Sequence, residues 1–306
     1  MTGALLSPQD GFLGLSDQAV AREDSPKAVI IPFGLEKSVS FGTGTARGPR
    51  AMIEASHQVE LFDDELWCEP YRAFRVETLR EPAIPGDMGE ALSLLAGLTR
   101  AALDEGAFPL TFGGEHSITP GAIRPFLERW PDLVLLHFDA HADLRDGYEG
   151  EPFSHASAIR RCMDAPDLEV VSVGIRNISA EEIPFLEANR HRLHIHWARE
   201  MASWNLDEIL APLAGRPVYV TFDLDGFDAS LMPATGTPEP GGMFWADVMP
   251  ILRKAFETGT VVGADINELA PVEPLHGCNF LAAKLAYKML SYRFYSRPDQ
   301  AYHSHS

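Results

Sequence analysis

Apolar, β-branched-rich runs recur along the chain at 28–33, 109–112, 133–138, 170–175, 193–197, 218–222 and 261–266. They are continuous rather than alternating, which predicts strands covered on both faces, as in a buried parallel sheet. Between them, apolar residues at helical spacing predict helices over 90–105, closed by Gly106, and over 244–258, with a last helix over 278–294 and another beginning near Ile118. Strand and helix alternate throughout, so a three-layer α/β/α sandwich is expected. There is no internal repeat, low-complexity tract or linker, and the Pro/Gly-rich piece 233–242 is too short to separate domains. One domain spanning 1–306 is expected, with residues 1–25 as an N-terminal extension and 298–306 as a disordered tail.

Composition narrows the function. The 306 residues are 45% hydrophobic and 23% charged, enough to bury a large core. Lys and Arg total 25 against 44 Asp and Glu, a net charge of −19 that repels a phosphate lattice and argues against a nucleic-acid partner. Colloidal solubility alone accounts for such acidity, although the same field would speed the arrival of a small cation. No apolar run approaches the length of a membrane span and no basic leader precedes a hydrophobic block, which points to a soluble, unexported protein. Cys68, Cys162 and Cys278 form no CxxC pair, so neither a disulfide frame nor a cysteine zinc site is indicated, and a reducing cytoplasm fits.

The candidate chemistry follows the strands. Run 133–138 leads into Asp139-Ala140-His141-Ala142-Asp143, run 218–222 into Asp223-Leu224-Asp225, and run 261–266 carries Asp265-Ile266-Asn267-Glu268 at its end. If the backbone stays extended, a period of two puts Asp139, His141 and Asp143 on one side, and Asp223 with Asp225 likewise. Such acids would border the crevice at the carboxyl ends of a parallel sheet. Four carboxylates gathered there repel one another unless protons or cations neutralise them. Two divalent ions match Asp139, Asp143, Asp223 and Asp225, and the mixed aspartate–histidine set suits manganese better than copper or zinc. In Gly113-Gly114-Glu115-His116-Ser117 the glycines are read as permitting a tight turn beside a ligand. There His116 is either a second imidazole of the cluster or a turn histidine, and Glu115 is equally readable as a first-turn acid favoured by the helix dipole. A lone DxD after a strand is commonly only a cap, so the inference rests on the constellation.

GGEHS at 113–117, DAHADL at 139–144, FDLDGFDASLMPATGTPEPGG at 222–242 and DINELAP at 265–271 resemble the ureohydrolases, the arginase and agmatinase superfamily. The segment 146–155, DGYEGEPFSH, is closer to the agmatinase branch than to the arginase branch. The resemblance implies a mostly parallel sheet of roughly eight strands and assembly into homo-trimers or homo-hexamers. It also implies two Mn2+ per chain sharing a hydroxide, with His116, Asp139, Asp143 and Asp223 around one ion. Around the other are Asp139, His141, Asp223 and Asp225, with Asp139 and Asp223 bridging. Asp143 would also orient the hydroxide, His155 would carry the proton transfer to the departing amine, and Glu268 would accept hydrogen bonds from a guanidinium. The alternative for Glu268 is a supporting or surface acid.

By the same resemblance the substrate is a small cationic guanidino compound, agmatine, cleaved to putrescine and urea. Asp146, Glu149 and Glu151 would reject a carboxylate and attract a terminal ammonium, and the turn Arg176-Asn177-Ile178-Ser179 lacks the acid of the arginases. Tyr148 is a candidate for the same mouth, or else a solvated loop residue. The alternatives are guanidinobutyrate, guanidinopropionate or arginine as substrate, or, in another class, a metal-holding but catalytically silent scaffold. A third reading, a nucleotide-binding module, rests on the glycine-rich stretch 42–48. Two departures stand out: Glu115 replaces the family's usual Asp, leaving the placement of His116 open, and Ala142 replaces Thr. His137 is expected to be packed core, and His191, His194, His196, His276, His303 and His305 to be structural.

Overall fold

The computed structural model describes residues 5–16 and 19–295. Eight strands form one sheet: β1 (Lys27–Phe33), β2 (Arg75–Thr78), β3 (Phe108–Gly113), β4 (Val134–Phe138), β5 (Glu169–Ile175), β6 (Leu193–Trp197), β7 (Pro217–Asp223) and β8 (Thr260–Asn267). Every pairing is parallel, in the order β2-β1-β3-β8-β7-β4-β5-β6. The helices are α1 (Gly48–Ser56), α2 (Met88–Asp104), α3 (Thr119–Arg129), α4 (Ala158–Cys162), α5 (Ile183–Asn189), α6 (Leu206–Ile209), α7 (Trp245–Thr258) and α8 (His276–Phe294).

Seven strands coincide with the apolar runs: β1, β3, β4, β5, β7 and β8 lie inside the sheet and are covered on both faces, whereas β6 is a half-buried edge strand. On β4, Val134, Leu136 and Phe138 join the core beside Met52 of α1, Leu252 of α7 and Leu285 of α8. Leu135 joins the opposite core with Leu95 of α2 and Phe126 of α3. Three layers follow from that alternation. Asp87 starts α2 by accepting a hydrogen bond from the Glu90 amide (2.9 Å), two residues ahead of the predicted start.

Strand β2 has no such signature. Its four residues Arg75, Val76, Glu77 and Thr78 are mixed in polarity and mostly half-buried, since it stands at the sheet edge. The N-terminal segment lies along it: Leu6 donates its amide to the Thr78 carbonyl (2.8 Å) and Phe12 donates to Thr78 Oγ1 (2.9 Å). Phe12 is 2% exposed and meets the Phe112 ring edge-on at 5.3 Å, so residues 11–13 and Leu15 pack into the core while residues 7–10 stay exposed. The segment 298–306, expected to be a disordered tail, lies outside the described residues.

The sheet order decides where the chemistry sits. Strands β3, β8, β7 and β4 are neighbours, and Phe112, Ile266, Phe222 and Phe138 lie abreast across them. All four motifs therefore leave the sheet side by side at one height, although more than 150 residues of chain separate the first from the last.

Candidate active site

Asp139, His141 and Asp143 follow β4, but not as an extended comb. The strand ends at Phe138, and Asp143 takes the left-handed conformation at φ 53°. Asp225 lies in a single 3-10 turn capped by the Asp223 carboxylate, which accepts the Asp225 amide at 2.9 Å. Turn geometry, rather than a period of two, turns these side chains inward. The GG pair also acts differently from a permissive tight turn. A Cβ on Gly113 would collide with Asn267 Oδ1, and one on Gly114 with the Leu35 carbonyl, so both glycines are demanded by close packing.

The side chains converge in two groups around one shared carboxylate. His116 Nδ1 lies 3.1 Å from Asp139 Oδ2, 3.0 Å from Asp143 Oδ2 and 3.4 Å from Asp223 Oδ2. His141 Nδ1 lies 3.0 Å from Asp225 Oδ2 and 3.5 Å from Asp139 Oδ1. Asp139 thus turns one oxygen to each imidazole, and its Oδ1 also accepts the His141 amide at 2.6 Å.

Hydrogen bonding determines what His116 can offer. Thr221 Oγ1 gives its only proton to Asp265 Oδ1 (2.6 Å), so it must accept at 2.9 Å from His116 Nε2. On a neutral ring, Nδ1 then carries a lone pair facing three carboxylates. Although three oxygens lie within 3.4 Å, none is placed to hydrogen-bond this buried nitrogen. A lone pair and carboxylate oxygens converging on one point are the donor set of a cation, which completes the fit of these residues to divalent metal.

The charges tell the same story. Burial and the neighbouring Asp139 charge push Asp143 up to about 7. Burial and the charges of Asp225 and Asp139 push Asp223 well above the carboxylate range. Burial opposes charge on Asp139 too, but the flanking His116, His137 and His141 imidazoles outweigh it and hold this carboxyl well below its ordinary value. Burial likewise opposes the His141 cation, yet Asp225 and Asp139 raise it to about 12. The cluster favours added positive charge.

With this geometry in place, the comparison with known sequences is decisive: a sequence model of the arginase family matches residues 26–291. The chain belongs to the arginase family. It is 34% identical over 289 residues to an N(1)-aminopropylagmatine ureohydrolase of Synechocystis sp., covering 91% of this chain and 92% of that one. It is 35% identical over 251 residues to an agmatinase of Bacillus cereus, covering 81% and 85%. The crystal structure of the agmatine ureohydrolase of Thermoplasma volcanium superposes with a TM-score of 0.78 at 26% identity, covering 94% of this chain and 95% of that one. The fold is arginase-like, and the protein is an enzyme of the ureohydrolase type rather than a silent scaffold.

In this arginase-family fold the cluster opens into a cavity of about 160 Å³ that is also lined by Tyr148, His155 and Glu268. Glu268 sits at φ 68°, strained for a residue with a side chain, and its Oε1 accepts the His116 amide at 2.7 Å. Burial, then the Glu115 and Asp225 charges, push its carboxyl well up. His155 opens a 3-10 turn, with Nδ1 3.3 Å from Ser38 Oγ and Nε2 3.4 Å from Ser40 Oγ, and burial lowers its pKa. The Tyr148 ring lies edge-on to His155 at 6.0 Å.

The loop acids are placed otherwise than expected. Asp146 is exposed and pairs with Arg161 (2.6 Å) and Arg160 (3.3 Å). Glu149 is exposed at the tip of the 148–151 turn, and Glu151 Oε1 caps the Phe153 amide at 2.9 Å. None of the three lines the cavity: Asp146 is turned toward α4, Glu149 toward solvent, and Glu151 is spent on its own loop. The acid found at the wall is Glu182, which accepts the Leu144 amide (2.8 Å) and the Ser179 amide (2.6 Å). Arg145 also lines it, paired with Glu181 at 2.8 Å and lying over the Tyr148 ring.

His137 is buried as expected, but it also serves the site: Nε2 meets Asp139 Oδ2 at 2.8 Å and Nδ1 meets Ser172 Oγ at 3.0 Å. Its place two residues before Asp139 on the same strand face was the available signal. Asp265, whose carboxyl burial pushes up, gathers Tyr219, Thr221 and Asn267 beneath the cluster. Arg176 of the turn 176–179 donates to the carbonyls of Asp225 and Glu239, an arrangement that no motif foretold. His194 pairs with Glu169 on the far edge strand, away from the site. In the glycine-rich stretch 42–48, Glu36 Oε2 already takes the Gly44 and Ala46 amides (2.8 and 2.9 Å), leaving no phosphate cradle there.

Proposed function

We propose that the enzyme hydrolyses the guanidinium of agmatine to putrescine and urea, with two Mn2+ per chain. The ligands in this reading are His116, Asp139, Asp143 and Asp223 for one ion and Asp139, His141, Asp223 and Asp225 for the other. The observation that carries it is the convergence of three carboxylate oxygens, from Asp139, Asp143 and Asp223, on the buried His116 Nδ1. Hard oxygens with two imidazoles suit manganese. Held by these residues, divalent ions would lower the pKa of a water and so supply a nucleophile near neutral pH.

The chain's own residues do the rest. Glu268, its Oε1 held by the His116 amide, presents a carboxylate to the planar guanidinium and fixes the central carbon. Asp143 orients the attacking water. After addition, the bond from carbon to the alkyl nitrogen breaks, and His155 relays a proton to that nitrogen, which leaves as an ammonium while the carbon leaves in urea. Toward the mouth, Glu182 receives the distal ammonium, with Tyr148 along the wall. Arg145 is no carboxylate receptor because Glu181 engages it. Glu151, committed to its own loop, drops out of substrate binding.

A second reading is favoured by the Synechocystis relative, whose name adds an aminopropyl group to agmatine. Urea release from agmatine, N1-aminopropylagmatine, guanidinobutyrate and arginine under manganese decides. The two carboxylate-free amines should give the highest kcat/KM, and the ratio between them selects the substrate; arginine or guanidinobutyrate in first place overturns the proposal. A cytoplasmic location and assembly into trimers or hexamers belong to the same reading. The location is supported by Cys162 and Cys278, which are free thiols, and, among the described residues, by the absence of a helix long and apolar enough to cross a membrane.

A further inference from the structure

Glu115 is fully buried yet does not face the metal-ligand cluster. Its carboxylate accepts four hydrogen bonds: from the Lys37 amide (2.8 Å), the Ser38 amide (2.7 Å), Ser38 Oγ (2.8 Å) and Ser117 Oγ (2.6 Å). Three of these reach across to the loop after β1, 77 or 78 residues away in sequence. That loop also touches His155: Ser38 Oγ accepts the His155 amide at 2.9 Å and lies 3.3 Å from its Nδ1.

We propose that Glu115 is a positioning residue for His155, acting through the Ser38 hydroxyl. A carboxylate only accepts, so the single proton of Ser38 Oγ is committed to Glu115. The oxygen then has only lone pairs to offer His155, and the imidazole must place its hydrogen on Nδ1. Nε2 is left unprotonated, beside Ser40 Oγ at 3.4 Å and free to take up and hand on a proton. The extra methylene of Glu over Asp has a physical task here. Shortening the side chain by one carbon–carbon bond, about 1.5 Å, would stretch contacts of 2.7–2.8 Å beyond hydrogen-bonding range. Glu115 is thus neither a first-turn acid for the helix dipole nor a spacer that displaces His116.

The inference rests on the proton-transfer role proposed for His155, and the test separates the two. The Ser38→Ala, Glu115→Gln, His155→Phe and Ser38→Ala/His155→Phe variants are assayed with agmatine, and their manganese content is measured. His155→Phe should lower kcat about 100-fold or more, and Ser38→Ala about 10-fold, each with unchanged KM and metal content. In the His155→Phe background Ser38→Ala should cost nothing further, and Ser38→Thr should recover most of the wild-type rate. Nitrogen chemical shifts of the His155 ring should report the Nδ1–H tautomer, lost in Glu115→Gln because the amide donates to Ser38 Oγ. His155→Phe at the wild-type rate overturns the proton-transfer reading. A slow His155→Phe with a fast Ser38→Ala, or an undiminished Ser38→Ala loss in the double variant, overturns the Glu115–Ser38 link alone.

Discussion

His137 Nε2 lies 2.8 Å from Asp139 Oδ2, on the carboxylate that both halves of the cluster share. Because Ser172 Oγ holds Nδ1 at 3.0 Å, the ring is fixed at both ends and its position fixes that oxygen. His137→Phe keeps the bulk and removes the tether. Manganese affinity should fall about 10- to 100-fold, the usual effect of losing a residue that orients a ligand. Calorimetric titration of the metal-free protein checks this; undiminished affinity would mean that Asp139 needs no such support.

The unequal sharing of oxygens predicts unequal metal loss. Asp139→Ala should abolish binding of both ions, whereas Asp225→Ala, whose Oδ2 meets only His141 among the imidazoles, should leave about one equivalent per chain. Elemental analysis after dialysis gives the stoichiometry. Two equivalents retained by Asp139→Ala would refute the shared-ligand assignment.

Arg176 spreads one guanidinium over the carbonyls of Asp225 (2.7 Å), Glu239 (2.9 Å), Gly174 (3.0 Å), Phe227 (3.1 Å) and Pro240 (3.1 Å). A lysine ammonium has three donors and no planar fork, so Arg176→Lys strands several of these acceptors. Stability should drop by about 2 kcal/mol or more, measured by denaturant unfolding. A midpoint like that of the wild type would show that water replaces the fork.

Asp228 ties the 228–242 loop together by accepting from the Ser230 hydroxyl and the Ser230, Gly241 and Gly242 amides. Hydrogen bonds from Ser230 come first among the causes that lower its carboxyl from 3.8 to about 2. A depressed carboxylate stabilises the fold above the unfolded value and loses that contribution as pH falls through the folded one. The difference in melting temperature between wild type and Asp228→Asn should therefore be full at pH 5 and shrink as pH falls from about 4 toward 2. A constant difference across that range would remove the charge from the explanation.

Much of this protein is legible residue by residue. Six strands announce themselves because burial on both faces leaves little room for polar alternation; of the two half-covered edge strands, β6 is still legible from Leu193, Ile195 and Trp197, whereas Arg75, Val76, Glu77 and Thr78 of β2 give no such signal. The imidazoles and carboxylates at 116, 139, 141, 143, 223 and 225 are local facts, read directly from the motifs that carry them. The wall of the cavity is not local. Asp146, Glu149 and Glu151 form an acidic run in the chain, yet Asp146 pairs on α4, Glu151 caps its own loop and Glu149 faces solvent, whereas Glu182 reaches the cavity from just before α5.

Chain order alone thus determined the layered α/β/α plan and the chemistry of the metal-binding side chains, because both follow from local composition and strand periodicity. Tertiary structure alone decided that β8 enters between β3 and β7, that His137 and Thr221 hold Asp139 and His116, and that Glu115 reaches Ser38, which in turn meets His155. The reason is physical: a hydrogen bond depends on a separation of about 3 Å in space, and no spacing along the chain encodes a distance across the sheet.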